Sequence, residues 1–226
     1  MKIITGASRG IGKFLFEKFQ AEGEVVYGTY QTTMPDEKNS QLISKVDISN
    51  YDEVVSWIKS LPKEGKIELI NCAATNYNAF AHKADPVKWK KTIEVNLIGT
   101  FNVISAILPE MRNDNYGRII NFSSVVAKMG VAGTSAYASS KAALWGLSKS
   151  IAVENASKGI TINSLNLGYF NIGMISDVPV EIQEKIKEKI PGNAFGNPIN
   201  IYNAVNFIVS SDYINGENID INGCII

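Results

Sequence analysis

Tyr137 and Lys141 stand four residues apart in Tyr-Ala-Ser-Ser-Lys, and on a helix that spacing puts both side chains on one face. A free tyrosine titrates near pH ~10, too high for ready proton exchange at neutrality. A neighbouring ammonium favours the phenolate and lowers that value, so the phenol can serve as acid or base. Thirteen residues before Tyr137, the run Gly117-Arg-Ile-Ile-Asn-Phe-Ser-Ser124 ends on a serine. Read as a buried strand, it delivers Ser124 at its carboxyl end, where a hydroxyl can hold a substrate oxygen. Taken singly, Tyr-x-x-x-Lys fits a packed tyrosine beside a surface lysine at least as well, and Ser124 is what favours chemistry.

The second constellation is Thr5-Gly-Ala-Ser-Arg-Gly-Ile-Gly12, between the first apolar run and the first amphipathic one. Glycines there let the backbone turn sharply, approach a pyrophosphate and pack a helix on a strand. The helix N-terminus adds free amides for phosphate oxygens. Gly6, Ser8, Arg9, Gly10, Ile11 and Gly12 are therefore candidate dinucleotide-binding residues. The second strand ends Gly28-Thr-Tyr-Gln-Thr32 without the carboxylate that would hold ribose hydroxyls. Arg9 suits a 2'-phosphate, so NADP(H) is favoured, with NAD(H) as the alternative. The positive ring of the oxidised nicotinamide would favour the Tyr137 phenolate further.

These groups need a frame. Apolar runs at 3–5, 24–29, 42–46, 68–71, 118–122, 161–165 and 218–221 read as seven strands, and 11–21, 52–60, 86–111, 137–157 and 198–210 as amphipathic helices. Asn50 or Asp52, Asp85 before Pro86, and Asn197 before Pro198 mark helix starts. The alternation predicts an α/β Rossmann fold: one domain over 1–226, a doubly wound seven-stranded parallel sheet with helices on both faces. Ligands then bind at the carboxyl ends of the strands. The irregular stretch 168–197, with a charged helical segment at 181–189, reads as a cover for the substrate. Trp89 and Trp145 fall at core spacing and read as packing residues.

Lysine plus arginine equals aspartate plus glutamate at 22 each, with 45% apolar and 19% charged residues, an ordinary globular balance with no basic excess for nucleic acid. Two cysteines, Cys72 and Cys224, make neither a metal site nor a disulfide framework. Strand pattern begins at Lys2, leaving no room for a signal peptide, and no apolar run approaches membrane-spanning length. A cytoplasmic setting is expected.

The chain resembles the short-chain dehydrogenase/reductase family over essentially its whole length. The likeness is carried by the loop ending at Gly12, by Ser124, Tyr137 and Lys141, by Asn96 in Glu-Val-Asn-Leu, by Asp47-Ile48, and by Asn71-Cys-Ala73-Ala. It implies that Tyr137 protonates a carbonyl oxygen polarised by Ser124. Lys141 would bind the nicotinamide ribose, and Asn96 would hold a water that links Lys141 to solvent. Asp47 and Ile48 would lie near the adenine, with Asn71 and Ala73 beside the cofactor.

Two departures from the family pattern stand out. Cys72 and Ala74 replace an asparagine and a glycine. After the sixth strand, Leu167-Gly168 and Ile172 replace Pro-Gly and a threonine that contacts the carboxamide; Ile172 has only its backbone amide to offer. Gly168 and Ile172 remain cofactor-binding candidates.

Within the family the chain looks closest to 3-oxoacyl-[acyl-carrier-protein] reductases. This implies an acyl thioester substrate, an acyl carrier protein as a candidate partner, and a homotetramer packed through the helices at 86–111 and 137–157. A docking patch for an acidic carrier should be basic, and Arg112 and Lys158 are its candidates. Another ketone, sugar or polyketide as substrate, or a non-catalytic nucleotide-binding regulator, are the competing readings.

Overall fold

Consecutive apolar residues such as Ile3-Ile4, Leu69-Ile70 and Ile119-Ile120 point to opposite faces of a strand, so each pair requires cover on both sides of a sheet. The computed structural model, which describes residues 1–62 and 65–226, has that form. Strands β1 (Lys2–Thr5), β2 (Val26–Tyr30), β3 (Ile43–Lys45), β4 (Glu68–Asn71), β5 (Gly117–Ser124), β6 (Ile160–Leu167) and β7 (Asn218–Ile221) make one sheet in the order β3-β2-β1-β4-β5-β6-β7. Every neighbouring pair is parallel. Ile3, Leu69 and Ile119 enter one apolar cluster, and Ile4, Ile70 and Ile120 the other.

The helices are α1 (Gly10–Ala21), α2 (Tyr51–Ser60), α3 (Pro86–Ile93), α4 (Thr100–Asp114), α5 (Val126–Met129), α6 (Ser135–Asn155), α7 (Val180–Lys187) and α8 (Ile199–Ser210). Val54 of α2, Ile104 of α4 and Ile151 of α6 cover one face. Phe16 of α1 and Val205 of α8 cover the other. The expected start signals are in place: Asn50 accepts from the amides of Asp52 and Glu53, Asp85 from Val87, and Asn197 from Ile199.

Strand order reverses between β1 and β4, which opens a crevice at their carboxyl ends. Thr5 fixes it by accepting from the amides of Cys72 and Ala73, both at 3.1 Å. β5 and β6 each run two residues beyond the expected end, because Ser123, Ser124 and Asn166 are buried although polar. The helix expected at 86–111 is interrupted: a π-helical stretch, Glu94–Gly99, joins α3 to α4. The whole run Pro86–Asp114 is 29 residues and apolar enough by length and composition to cross a membrane, contrary to the reading that no run approaches that length. Its inner side, Val103, Ile104, Ile107 and Met111, is part of the core.

The expected cover holds two elements, a 3-10 turn at Gly173–Asp177 and α7. A bridge between Phe170 and Gly196 closes its base, and Gly173 lies against Gly10 of the glycine loop.

Candidate active site

Strand β5 and helix α6 bring the first constellation together. Ser124 ends β5, and its hydroxyl acts on the Tyr137 phenol in favour of the ionised form. Lys141, one turn further along α6, donates Nζ to the Phe122 carbonyl at 2.7 Å and lies 5.7 Å from the centroid of the Tyr137 ring. The electrostatics differ from the expectation that Lys141 lowers the tyrosine. Burial pushes Tyr137 up to about 12, against the pull of the Ser124 hydroxyl and with a smaller push from Tyr169. Burial also pushes Lys141 down to about 8, opposed by Cys72. Both side chains sit where charge is poorly solvated, and the ammonium is turned to a carbonyl, so at neutral pH Tyr137 is a protonated phenol.

Asn96 lies in the π-helical stretch and is fully buried. Its Oδ1 accepts from the Thr75 amide at 2.8 Å, while Nδ2 donates to the Thr75 carbonyl and to Ser140 Oγ. Ser140 precedes Lys141, so Asn96 braces α6 beside the lysine. π-turns of this kind recur at functional sites.

The glycine loop fits a dinucleotide. Gly6 has φ +68°, and a Cβ there would lie 2.8 Å from Ala73 Cα; a Cβ on Gly12 would lie 2.2 Å from the Gly6 carbonyl. Helix α1 has no side-chain cap and no acidic residue in its first turn, which leaves its leading amides for an anion. Gly12→Ala is expected to cost roughly 1–3 kcal/mol through that overlap and to weaken nucleotide binding, read by thermal unfolding and by titration with NADPH. An unchanged melting temperature would mean that the loop relaxes freely. Arg9, at the N-cap, is exposed and has no ion pair among the described residues.

The other cofactor candidates divide. Asp47 accepts from the amide and hydroxyl of Ser49 at 2.9 and 2.6 Å. Burial pushes its carboxyl up, but these bonds and Lys91 outweigh it and hold the group below its ordinary range. Ile48 packs in the core against Gly99. Asn71 is buried and donates to Asn121 at 2.8 Å; its own Oδ1 lacks a partner among the described residues. Ala73 packs on Gly6, and Gly168 donates its amide to Ile221. The backbone amide of Ile172, expected to be free for a ligand, is donated to the Phe170 carbonyl at 2.7 Å, because the chain turns tightly there.

The basic docking candidates are also displaced. Arg112, in the last turn of α4, donates to Asn155 Oδ1 at 2.6 Å, and Lys158 lies two residues before β6. Both lie at the amino ends of β5 and β6, a strand length from Ser124. Conversely, Tyr169 was not singled out from the sequence. It follows Gly168, is desolvated, and acts electrostatically on Tyr137; an aromatic residue directly after a strand-end glycine was the available signal.

Comparison with known proteins agrees with this arrangement. The model of the short chain dehydrogenase family matches residues 1–182. An acetoacetyl-CoA reductase of Rhizobium meliloti (strain 1021) is 34% identical over 98% of this chain and 96% of its own length. One of the same name from Shinella zoogloeoides is 33% identical with the same coverage. A 3-oxoacyl-[acyl-carrier-protein] reductase of Staphylococcus aureus (strain Mu50 / ATCC 700699) is 32% identical, again over 98% and 96%. With the dinucleotide crevice and the Ser124–Tyr137–Lys141 cluster on one seven-stranded parallel sheet, the chain belongs to the short-chain dehydrogenase/reductase family and is an NAD(P)-dependent oxidoreductase acting on carbonyl or hydroxyl groups.

Proposed function

We propose that this chain reduces a 3-oxoacyl thioester to the 3-hydroxyacyl form with NADPH. The observation that carries the substrate is the chemistry shared by the relatives' names: acetoacetyl-CoA and 3-oxoacyl-[acyl-carrier-protein] are both 3-oxoacyl thioesters. NADPH, when bound, supplies the hydride. Tyr137, a protonated phenol at neutrality, gives its proton to the carbonyl oxygen while the Ser124 hydroxyl holds that oxygen. Lys141 uses one of its three donors on Phe122 and has others for the nicotinamide ribose. Asn96 braces the helix carrying Lys141 and takes part in returning the proton from solvent.

Arg9 is the group assigned to the 2'-phosphate. Arg9→Ala is expected to weaken NADPH by roughly 10–100-fold, the worth of a charged hydrogen bond, and to leave NADH nearly unchanged. Titrating both nucleotides checks this, and equal losses would refute the assignment. The exposed Ile98, Phe101 and Val153, on the helical run 86–114 and on α6, support a homotetramer packed through these helices, where Ala142, Ala143 and Gly146 permit close approach.

The substrate assignment is tested by comparing kcat/KM for an acetoacetyl thioester, free or on acyl carrier protein, with a panel of unrelated ketones and sugars. A preference for the thioester is expected. A better ketone would keep the chemistry and discard this substrate.

A further inference from the structure

Trp145, one turn beyond Lys141, has the spacing of a packing residue, yet its indole N–H is shared by two acceptors. These are Ser123 Oγ at 2.9 Å and Asn166 Oδ1 at 2.8 Å. Ser123 directly precedes Ser124 and donates its own hydroxyl to the Lys141 carbonyl at 2.9 Å. Asn166 passes the chain of contacts on, donating Nδ2 to Asp220 Oδ1 at 2.9 Å. Asp220 also accepts from Lys128 Nζ, at 2.8 Å on Oδ1 and 2.6 Å on Oδ2. Lys128 belongs to α5, the short helix that begins two residues after Ser124. The contacts leave the residue before Ser124, cross from β5 to α6, β6 and β7, and return to the residue four positions after it.

We propose that this ring, with Trp145 as its hub, positions the catalytic pair: it holds Ser124 from both sides and Lys141 through its carbonyl. The inference rests on the reading of Ser124, Tyr137 and Lys141 as the reacting groups. Tryptophan offers only a donor, and its two acceptors are on side chains 3% and 0% exposed. Packing alone would not require the N–H. Without it, Ser123 and Asn166 lose a buried partner and are free to turn, shifting the strand end that carries Ser124. A displacement near 1 Å at reacting groups can cost on the order of a hundredfold in rate. At the far end, Lys128 and Asp220 are each about a third exposed, so that link can be cut without opening the core.

The test is a cycle of Trp145→Phe, Lys128→Met and the double variant, each measured for kcat, for KM with both substrates, for the pH profile of kcat and for thermal unfolding. Trp145→Phe is expected to lower kcat roughly tenfold with little change in KM for NADPH and to move the apparent pKa in the kcat profile. Lys128→Met is expected to lower kcat by a smaller factor at an unchanged melting temperature. The double variant should resemble Trp145→Phe alone, since both cut one ring. An unaltered kcat and pH profile in Trp145→Phe, or losses that multiply in the double variant, would overturn the proposal. If Trp145→Phe does not fold, Lys128→Met and Asp220→Asn decide: a matching fall in kcat supports the ring, and wild-type kcat in both refutes it. A silent wild-type chain would instead refute the reductase reading, and the ring would fall with it.

Discussion

Tyr137→Phe should lose turnover by about 10²–10⁴-fold, the range for removal of a positioned general acid, while nucleotide binding stays near wild type. The phenol is desolvated and protonated at neutral pH, the Ser124 hydroxyl opposing that shift without outweighing it. Phenylalanine keeps the ring and its packing on α6 and removes the hydroxyl that carries the proton. Steady-state rates with and without saturating nucleotide, together with a binding titration, separate the two effects. A variant with a near-normal rate would show that the proton comes from elsewhere.

Lys141→Met should lose turnover on a similar scale and yet gain stability. Lys141 is 3% exposed, and burial lowers its pKa from 10.5 to about 8. Between those values the unfolded chain binds a proton that the folded chain does not, so raising the pH through that window favours the fold. Below pH 8 the folded chain carries the buried ammonium at its full cost, of order 3 kcal/mol from the size of the shift. Methionine fills the same channel without charge. The melting advantage of Lys141→Met should therefore be largest below about pH 8 and fade towards pH 10.5. Unfolding of both proteins across that range checks it, and an advantage independent of pH would mean that packing, not charge, sets the difference. A stabilising loss of function is the behaviour expected of a group retained for chemistry.

What could be read from the sequence was local. β4 and β7 have the expected bounds, and helices α1, α2 and α8 lie within a residue of theirs, because apolar periodicity and capping residues are written in neighbouring positions. Ser124, Tyr137 and Lys141 were identified by spacing, and the structure brings them together. The features that escaped depend on contacts between distant segments. Periodicity near 3.6 does not distinguish one π-helical turn from an α-helix, so the brace built on Asn96 was hidden. The serines and asparagines at the ends of β5 and β6 resemble loop residues until partners on α6 and β7 satisfy them. The acidity of Tyr137 was read from Lys141 and the oxidised nicotinamide, whereas burial of the phenol dominates it in the chain itself. Ile172 illustrates the same limit: a position matched by pattern does not reveal whether its amide is already engaged.

The most direct test of the central claim is consumption of NADPH, followed by its absorbance, when the wild-type chain is given an acetoacetyl thioester. The expected result is sustained turnover with one 3-hydroxyacyl product formed per nucleotide oxidised, lost in Tyr137→Phe. No consumption with the thioester or with any of a panel of ketones, using either NADPH or NADH, would contradict it.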